Sequence, residues 1–391
     1  MSSDEHQNAA QSAASNAARV AKRLVVKVGS AILCGPSDQG GGAVREAWLA
    51  SLAADIAGLR QSGCEVVIVT SGAIALGRRR LGLSGALRLD EKQAASAAGQ
   101  AALAQAWQAA FAPHDVAIAQ ILITLEDTES RRRYLNARAT FRTLLDLGAL
   151  PLVNENDTIA TSEIRYGDND RLAAHAAQLV ESDLLIILSD IDGLYTSDPR
   201  KDSTAQHISV VDAITPEIEN MAGGVNRDAG VGSGGMASKI AAAKIAGGAG
   251  CDTIIAPGLV DHPLKAVLDG GAATLFCAST THDGARRQWI AGRLKPLGRL
   301  VIDEGAAKAL QSGASLLPAG VKEITGAFSR GDAVEIVSAN GALIGQGLSA
   351  YDAGEARKVA GAKSDKIEAL LGYRRRPALV EKDDLILRSG P

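Results

Sequence analysis

Six short apolar runs recur through the first two thirds of the chain, each closed by glycine, serine, threonine or acidic residues: RLVVKVGS (23–30), CEVVIVTSGA (64–73), VAIAQILIT (116–124), ALPLVNEND (149–157), DLLIILSD (183–190) and CDTIIAPG (251–258). Their centres are rich in Val, Ile and Leu with little polar alternation, the pattern of strands buried on both faces of a parallel sheet. Alanine-rich stretches of helical character separate them. Strand alternating with helix predicts an α/β chain, a three-layer α/β/α sandwich with a mainly parallel sheet over 23–281. Around residue 276 the alternation stops. RLVIDEG, AVEIVS and ALIGQGLS are short strand-like runs broken by Gly, Asn and Ser, and they predict a small β-rich domain over 297–374 behind a linker at 282–296. Residues 1–22 lack a long apolar run and read as a disordered extension, and 375–391 reads as a tail.

A length of 391 residues fits two domains, and 46% hydrophobic residues supply ample core material. Only 3% of residues are aromatic while 42 are glycine, so the core is expected to pack small side chains closely. The net charge of −3 argues against a protein built mainly to grip phosphate backbones. Cys34, Cys64, Cys251 and Cys277 are far apart, which suggests neither a disulfide framework nor a zinc site. No stretch reaches the ~18–20 apolar residues of a membrane span, and no targeting segment precedes the first strand. A cytoplasmic protein acting on small molecules is expected.

Ligands of parallel sheets bind beyond the carboxyl ends of the strands. Here those ends carry Lys27 to Ser30, Thr70 to Gly72, Asn154 to Asp157, and Ser189 with Asp190. Lys27 interrupts an apolar strand. Buried and unpaired, its ammonium would be costly, so it is expected to face an anion, unless the strand lies at a sheet edge in contact with water. Ser71 and Gly72 turn strand into helix, where backbone N–H groups suit a carboxylate or phosphate, although serine there is equally a common helix cap. Residues 230–246, GVGSGGMASKIAAAKIA, match G-x-G-x-x-G in form, but a loop-like segment precedes them and no acidic residue ends the following strand. A glycine-rich loop opening a helix, with Lys239 in its first turns, still suits phosphates. No G-x-x-x-x-G-K-[ST] is present.

The segment NENDTIATSEIRYGDND (154–170) gathers Glu155, Asp157, Glu163, Asp168 and Asp170 with three asparagines around Arg165. Its carboxylates lack the alternating spacing of an EF-hand loop. Beside two lysines and two glycine-rich helix starts, such a loop can bind an ammonium, orient the lysines or hold a metal. The combination points to phosphoryl transfer onto a small amino-bearing substrate. If the acceptor is a carboxylate, it is ionised at neutral pH, and no histidine base is required.

VVKVGS, VTSGAIALG, YLNARATF, NENDTI with GDND, SDIDGLYTSDPR and GSGGMASK together resemble the glutamate 5-kinase family, of the amino-acid-kinase fold. The β-rich end resembles a PUA domain. The resemblance implies ATP-dependent phosphorylation of L-glutamate to γ-L-glutamyl phosphate, the first step of proline biosynthesis, with Mg2+. It implies that Lys27 contacts the transferring phosphate, that Lys239 serves the other phosphates, and that Asp170 orients both lysines. Ser71, Asp157 and Asn169 would bind glutamate, with Asp157 on its α-ammonium and Asp168 assisting. Lys27, Ser189, Asp190 and the run Ser233, Gly234, Gly235, Met236, Ala237, Ser238 and Lys239 would hold the nucleotide. Feedback inhibition by proline, a homodimer or homotetramer, and hand-over of product to γ-glutamyl phosphate reductase are further implications. N-acetylglutamate kinase, aspartokinase and uridylate kinase would share the lysines and glycine loops, but NENDTI with GDND and the PUA-like end favour glutamate 5-kinase. RNA binding is disfavoured as a primary role, since residues 295–373 carry nine Lys/Arg against nine Asp/Glu.

Overall fold

The computed structural model describes residues 13–35, 42–159, 168–222, 235–285, 295–373 and 375–388. The chain divides into two compact units, one of residues up to Ser130 with Asn136–His282, the other of Arg131–Leu135 with Asp283 onward.

In the first unit the strands are β1 (Arg23–Val28), β2 (Glu65–Thr70), β3 (Ile118–Ile123), β4 (Leu150–Glu155), β5 (Leu184–Ser189), the short β6 (Leu194–Tyr195), β7 (His207–Ile208) and β8 (Val210–Val211), then β9 (Asp252–Pro257) and β10 (Thr274–Phe276). Eight form one sheet in the order β3-β4-β2-β1-β5-β9-β10-β8, while β6 and β7 pair separately. Within the sheet, β9 and β10 run antiparallel and every other neighbouring pair is parallel. The expected mainly parallel sheet is therefore present.

Strand β1 lies in its interior, with Lys27 level with Val69 of β2 and Ile187 of β5. The edge-strand alternative for Lys27 is thereby removed. From β1 the chain builds outward through β2 on one side and through β5 on the other, so β1 sits at the switch point where such sheets bind ligands.

The core on either face of β1 is aliphatic. Val25, Val26, Ile68 and Ile187 are fully buried, each contributing about 1.5–3 kcal/mol by leaving water. Glycine governs the approach of the helices Ala73–Leu81 and Leu89–Phe111. A Cβ at Gly77 would lie 1.7 Å from the Ala95 carbonyl oxygen, and one at Gly99 would lie 1.8 Å from that of Ala73. The low aromatic content thus corresponds to backbones packed almost in contact.

Two expected boundaries need correction. Residues 13–20, placed in a disordered extension, form a helix that buries Ala14 and Ala18, with Ala21 buried just beyond. Ser15 Oγ and Arg19 Nη2 both donate to the Leu268 carbonyl, at 2.5 and 2.7 Å, satisfying the end of the helix Pro263–Leu268. Alanines at this spacing give a face small enough to pack, which a reading of polar composition overlooks. Residues 1–12 lie outside the described set. Of the expected linker, 282–285 are helical and 286–294 are not described.

The second unit has a five-stranded sheet of β11 (Gly298–Ile302), β12 (Val321–Gly326), β13 (Ala333–Ser338), β14 (Leu343–Leu348) and β15 (Leu385–Leu387), in the order β12-β11-β13-β14-β15. Its core includes Leu300, Ile336, Tyr351, Leu379 and Val380. The supposed tail is therefore built into the fold. Val380 bridges to Leu316, β15 pairs with β14, and the Arg375 guanidinium stacks 4.7 Å above the Tyr351 ring. Among the described residues no helix is long and apolar enough to cross a membrane.

Candidate active site

Seven buried polar or charged residues gather at the carboxyl ends of the central strands and on the elements entering there: Lys27, Thr70, Asn154, Asp157, Asp170, Ser189 and Lys239. At the centre is an ion-paired triad. Lys27, near the end of β1, contacts one carboxylate oxygen of Asp170, and Lys239 Nζ lies 3.5 Å from the other. Asp170 stands in the first turn of the helix Asp168–Val180, and Lys239 in the first turn of the helix Met236–Gly248. The Asp170 side chain is 0% exposed and each lysine 7%. Burial lowers the Lys239 pKa and Lys27 pushes it the same way, while Asp170 and Asp190 oppose them. Two ammonium groups against one carboxylate leave the triad an excess positive charge at the sheet's ligand-binding edge.

Beside it lies an amide network. Asn169 Nδ2 donates to the Thr70 carbonyl at 2.9 Å, to Ser71 Oγ at 2.7 Å and to Asn154 Oδ1 at 3.0 Å. Asn154 Oδ1 also accepts from the Glu155 N–H at 2.9 Å, so one amide joins the ends of β2 and β4 to the helix Asp168–Val180. Gly72 takes φ of 110°, a left-handed conformation in which glycine is unstrained, and opens the helix Ala73–Leu81 directly after Ser71. Asp157 accepts from Ser96 Oγ at 2.5 Å. Burial raises the Asp157 pKa, and this hydrogen bond opposes the rise.

On the other side of β1, buried Ser189 donates to Asp190 Oδ1 at 3.2 Å, and Asp190 is exposed at the strand end. Gly235 caps the helix that begins at Met236. Met236 and Ser238 are half-buried and Ala237 is exposed. Ser233 and Gly234 lie outside the described residues, as does the middle of the polar loop, 160–167. Asp168 is the first residue of its helix.

The structure thus brings together Lys27, Lys239 and Asp170, and separately Ser71 and Asn169. It also reveals residues with no part in the sequence reading. The helix Leu89–Phe111 turns Ser96, Gln100 and Trp107 inward, where Gln100 Nε2 reaches the Glu155 carbonyl at 3.5 Å and Trp107 Nε1 reaches Thr70 Oγ1 at 3.1 Å. Their only signal is a serine and a glutamine four apart in an alanine-rich helix, hence on one face.

For a magnesium ion, no group of three or more His, Cys, Asp or Glu among the described residues is placed to hold a metal. Exposed Asp190, at the end of β5, is a carboxylate that would be open to a magnesium ion carried on nucleotide phosphates.

A positively charged, buried ion-pair node lies at the switch point of the parallel sheet, and the class of the chain is settled by sequence likeness. The model of the Amino acid kinase family matches residues 22–257, and that of the PUA domain matches 298–371. Three relatives are Glutamate 5-kinase of Paramagnetospirillum magneticum, 54% identical over 94% of this chain and 98% of its own, Glutamate 5-kinase of Caulobacter vibrioides, 55% over 96% and 98%, and Glutamate 5-kinase 1 of Rhizobium meliloti, 55% over 94% and 92%. The chain belongs to the glutamate 5-kinase branch of the amino acid kinase family.

Proposed function

We propose that the protein transfers the γ-phosphoryl group of ATP to the γ-carboxylate of L-glutamate, giving γ-L-glutamyl phosphate and ADP as the first step of proline biosynthesis. The observation that carries this reading is the Lys27–Asp170–Lys239 node beside the Ser71, Asn169 and Asp157 groups. A carboxylate oxygen of glutamate attacks the γ-phosphorus in line, and the bond from that phosphorus to the β–γ bridging oxygen breaks as ADP leaves. The nucleophile is already ionised, so no proton need be removed. The barrier is repulsion between anions, met by lysines fixed in place before the substrates arrive.

Lys27 lies over the transferring group and Lys239 over the other phosphates. Asp170 holds both ammonium groups without cancelling their combined charge. Ser71 and Asn169 hold glutamate, and Asp157 receives its α-ammonium. Ser189, Asp190 and the start of the helix Met236–Gly248, with Ser233 and Gly234 before it, hold the nucleotide. Asp190 would help to hold Mg2+, which would supply neutralisation of phosphate charge. Inhibition by proline, assembly as a homodimer or homotetramer, and hand-over to γ-glutamyl phosphate reductase belong to the same reading.

The test is ATP turnover with Mg2+ and hydroxylamine, which traps an acyl phosphate as its hydroxamate. L-glutamate is expected to give hydroxamate, while N-acetylglutamate, aspartate and UMP give none. Turnover confined to another acceptor would overturn the substrate assignment.

A further inference from the structure

The contact between Ser96 and Asp157 is an unusual use of a helix interior. Ser96 is fully buried in the middle of Leu89–Phe111, where serine is a poorer helix former than alanine. Its hydroxyl is not spent on the preceding turn, the common fate of a serine within a helix. It crosses instead to Asp157, 61 residues away in sequence, at 2.5 Å. From this geometry, and resting on the assignment of Asp157 to the glutamate ammonium, we infer that Ser96 is a positioning residue that fixes the Asp157 carboxylate for recognition of the α-amino group of the substrate.

A buried carboxylate meets a desolvation cost that favours its neutral form, and a neutral acid would neither attract an ammonium nor present a fixed oxygen to it. A hydroxyl donor stabilises the anion without adding charge. A cationic donor in its place would pair with Asp157 and compete with the ligand. With Oδ2 bound to Ser96, Oδ1 is the oxygen that meets the ammonium. Gln100, four residues on and so on the same helix face, donates to the Glu155 carbonyl, which fixes the backbone two residues before Asp157. The helix Leu89–Phe111 thereby sets selectivity for an amino-bearing acceptor while Lys27 and Lys239 perform the transfer.

The test compares Ser96→Ala, Asp157→Asn and the double variant in the full-length protein, by steady-state kinetics and thermal melting. Ser96→Ala should fold, since it removes one oxygen and improves helix propensity. The KM for L-glutamate should rise about tenfold, as for loss of a hydrogen bond to a charged group, with kcat and the KM for ATP within about twofold. The inhibition constant of glutarate, which lacks the ammonium, should not change. The double variant should bind glutamate no worse than Asp157→Asn alone. A Ser96→Ala enzyme with unaltered glutamate KM, while Asp157→Asn raises it, would overturn the inference and leave the proposed function standing. An equal rise for glutarate, glutamate and ATP would assign Ser96 a structural role only. If Asp157→Asn itself left glutamate binding intact, the ammonium assignment and this inference would both fall.

Discussion

At the scale of single residues, the unequal charge count of the Lys27–Asp170–Lys239 node makes its members respond differently to substitution. Removing one lysine leaves a balanced buried pair, so Lys27→Ala should fold close to normally and lose kcat by about a hundredfold or more, with a smaller change in glutamate KM. Removing the shared carboxylate takes an ion-pair partner from two buried cations at once. Asp170→Asn should therefore lose stability by about 3–5 kcal/mol as well as activity, with a lower melting temperature than Lys27→Ala. Equal melting temperatures would contradict the shared-carboxylate geometry. Lys27 was legible in the sequence because a cation in an apolar strand demands an explanation, whereas Asp170 stood among five carboxylates of one loop and was singled out only by the family resemblance. Ser96 was not, since a lone serine among alanines is an ordinary helix residue until its partner, 61 positions away, is known.

At the scale of elements, the six apolar runs were legible because a strand buried on both faces has to be a nearly continuous hydrophobic run. What joins the elements was less visible. Gly77 and Gly99 were two glycines among many, yet they allow the helices Ala73–Leu81 and Leu89–Phe111 to meet backbone to backbone. Gly77→Ala would improve helix propensity in isolation, by about 0.5–1 kcal/mol. Here the new methyl collides with a carbonyl that cannot move alone, so the expected result is a net loss of about 1–3 kcal/mol or more. The same shift would displace Ser96, the residue after Ala95, and raise the glutamate KM. Chemical denaturation and glutamate kinetics on that one variant check both effects, and an increase in stability would show that the helices can separate at little cost.

At the scale of the whole molecule, each unit carries its own apolar core, as expected of domains able to hold their folds separately. The second is completed by residues that looked like a tail, because LIL is too short to announce a strand and Ala378 to Val380 become a core element only when Leu316 is there to pair with them. A chain ending at Tyr373 removes the fully buried Leu379 and Val380, each contributing about 1.5–3 kcal/mol. Limited proteolysis should then digest residues 295–373 while residues 42–130 stay protected, and continued protection of both regions would contradict the role given to β15.

The docking of residues 13–20 bears on the order in which the chain assembles. Ser15 meets Leu268 across 253 positions. At a synthesis rate of roughly 5–20 residues per second, the helix leaves the ribosome roughly 13–50 s before its acceptor carbonyl exists. Until then Ser15 and Arg19 lack the carbonyl that they bind, and a segment of this length is marginal as a helix by itself. The contact that holds this helix end therefore forms only after the 253 positions between Ser15 and Leu268 have been made.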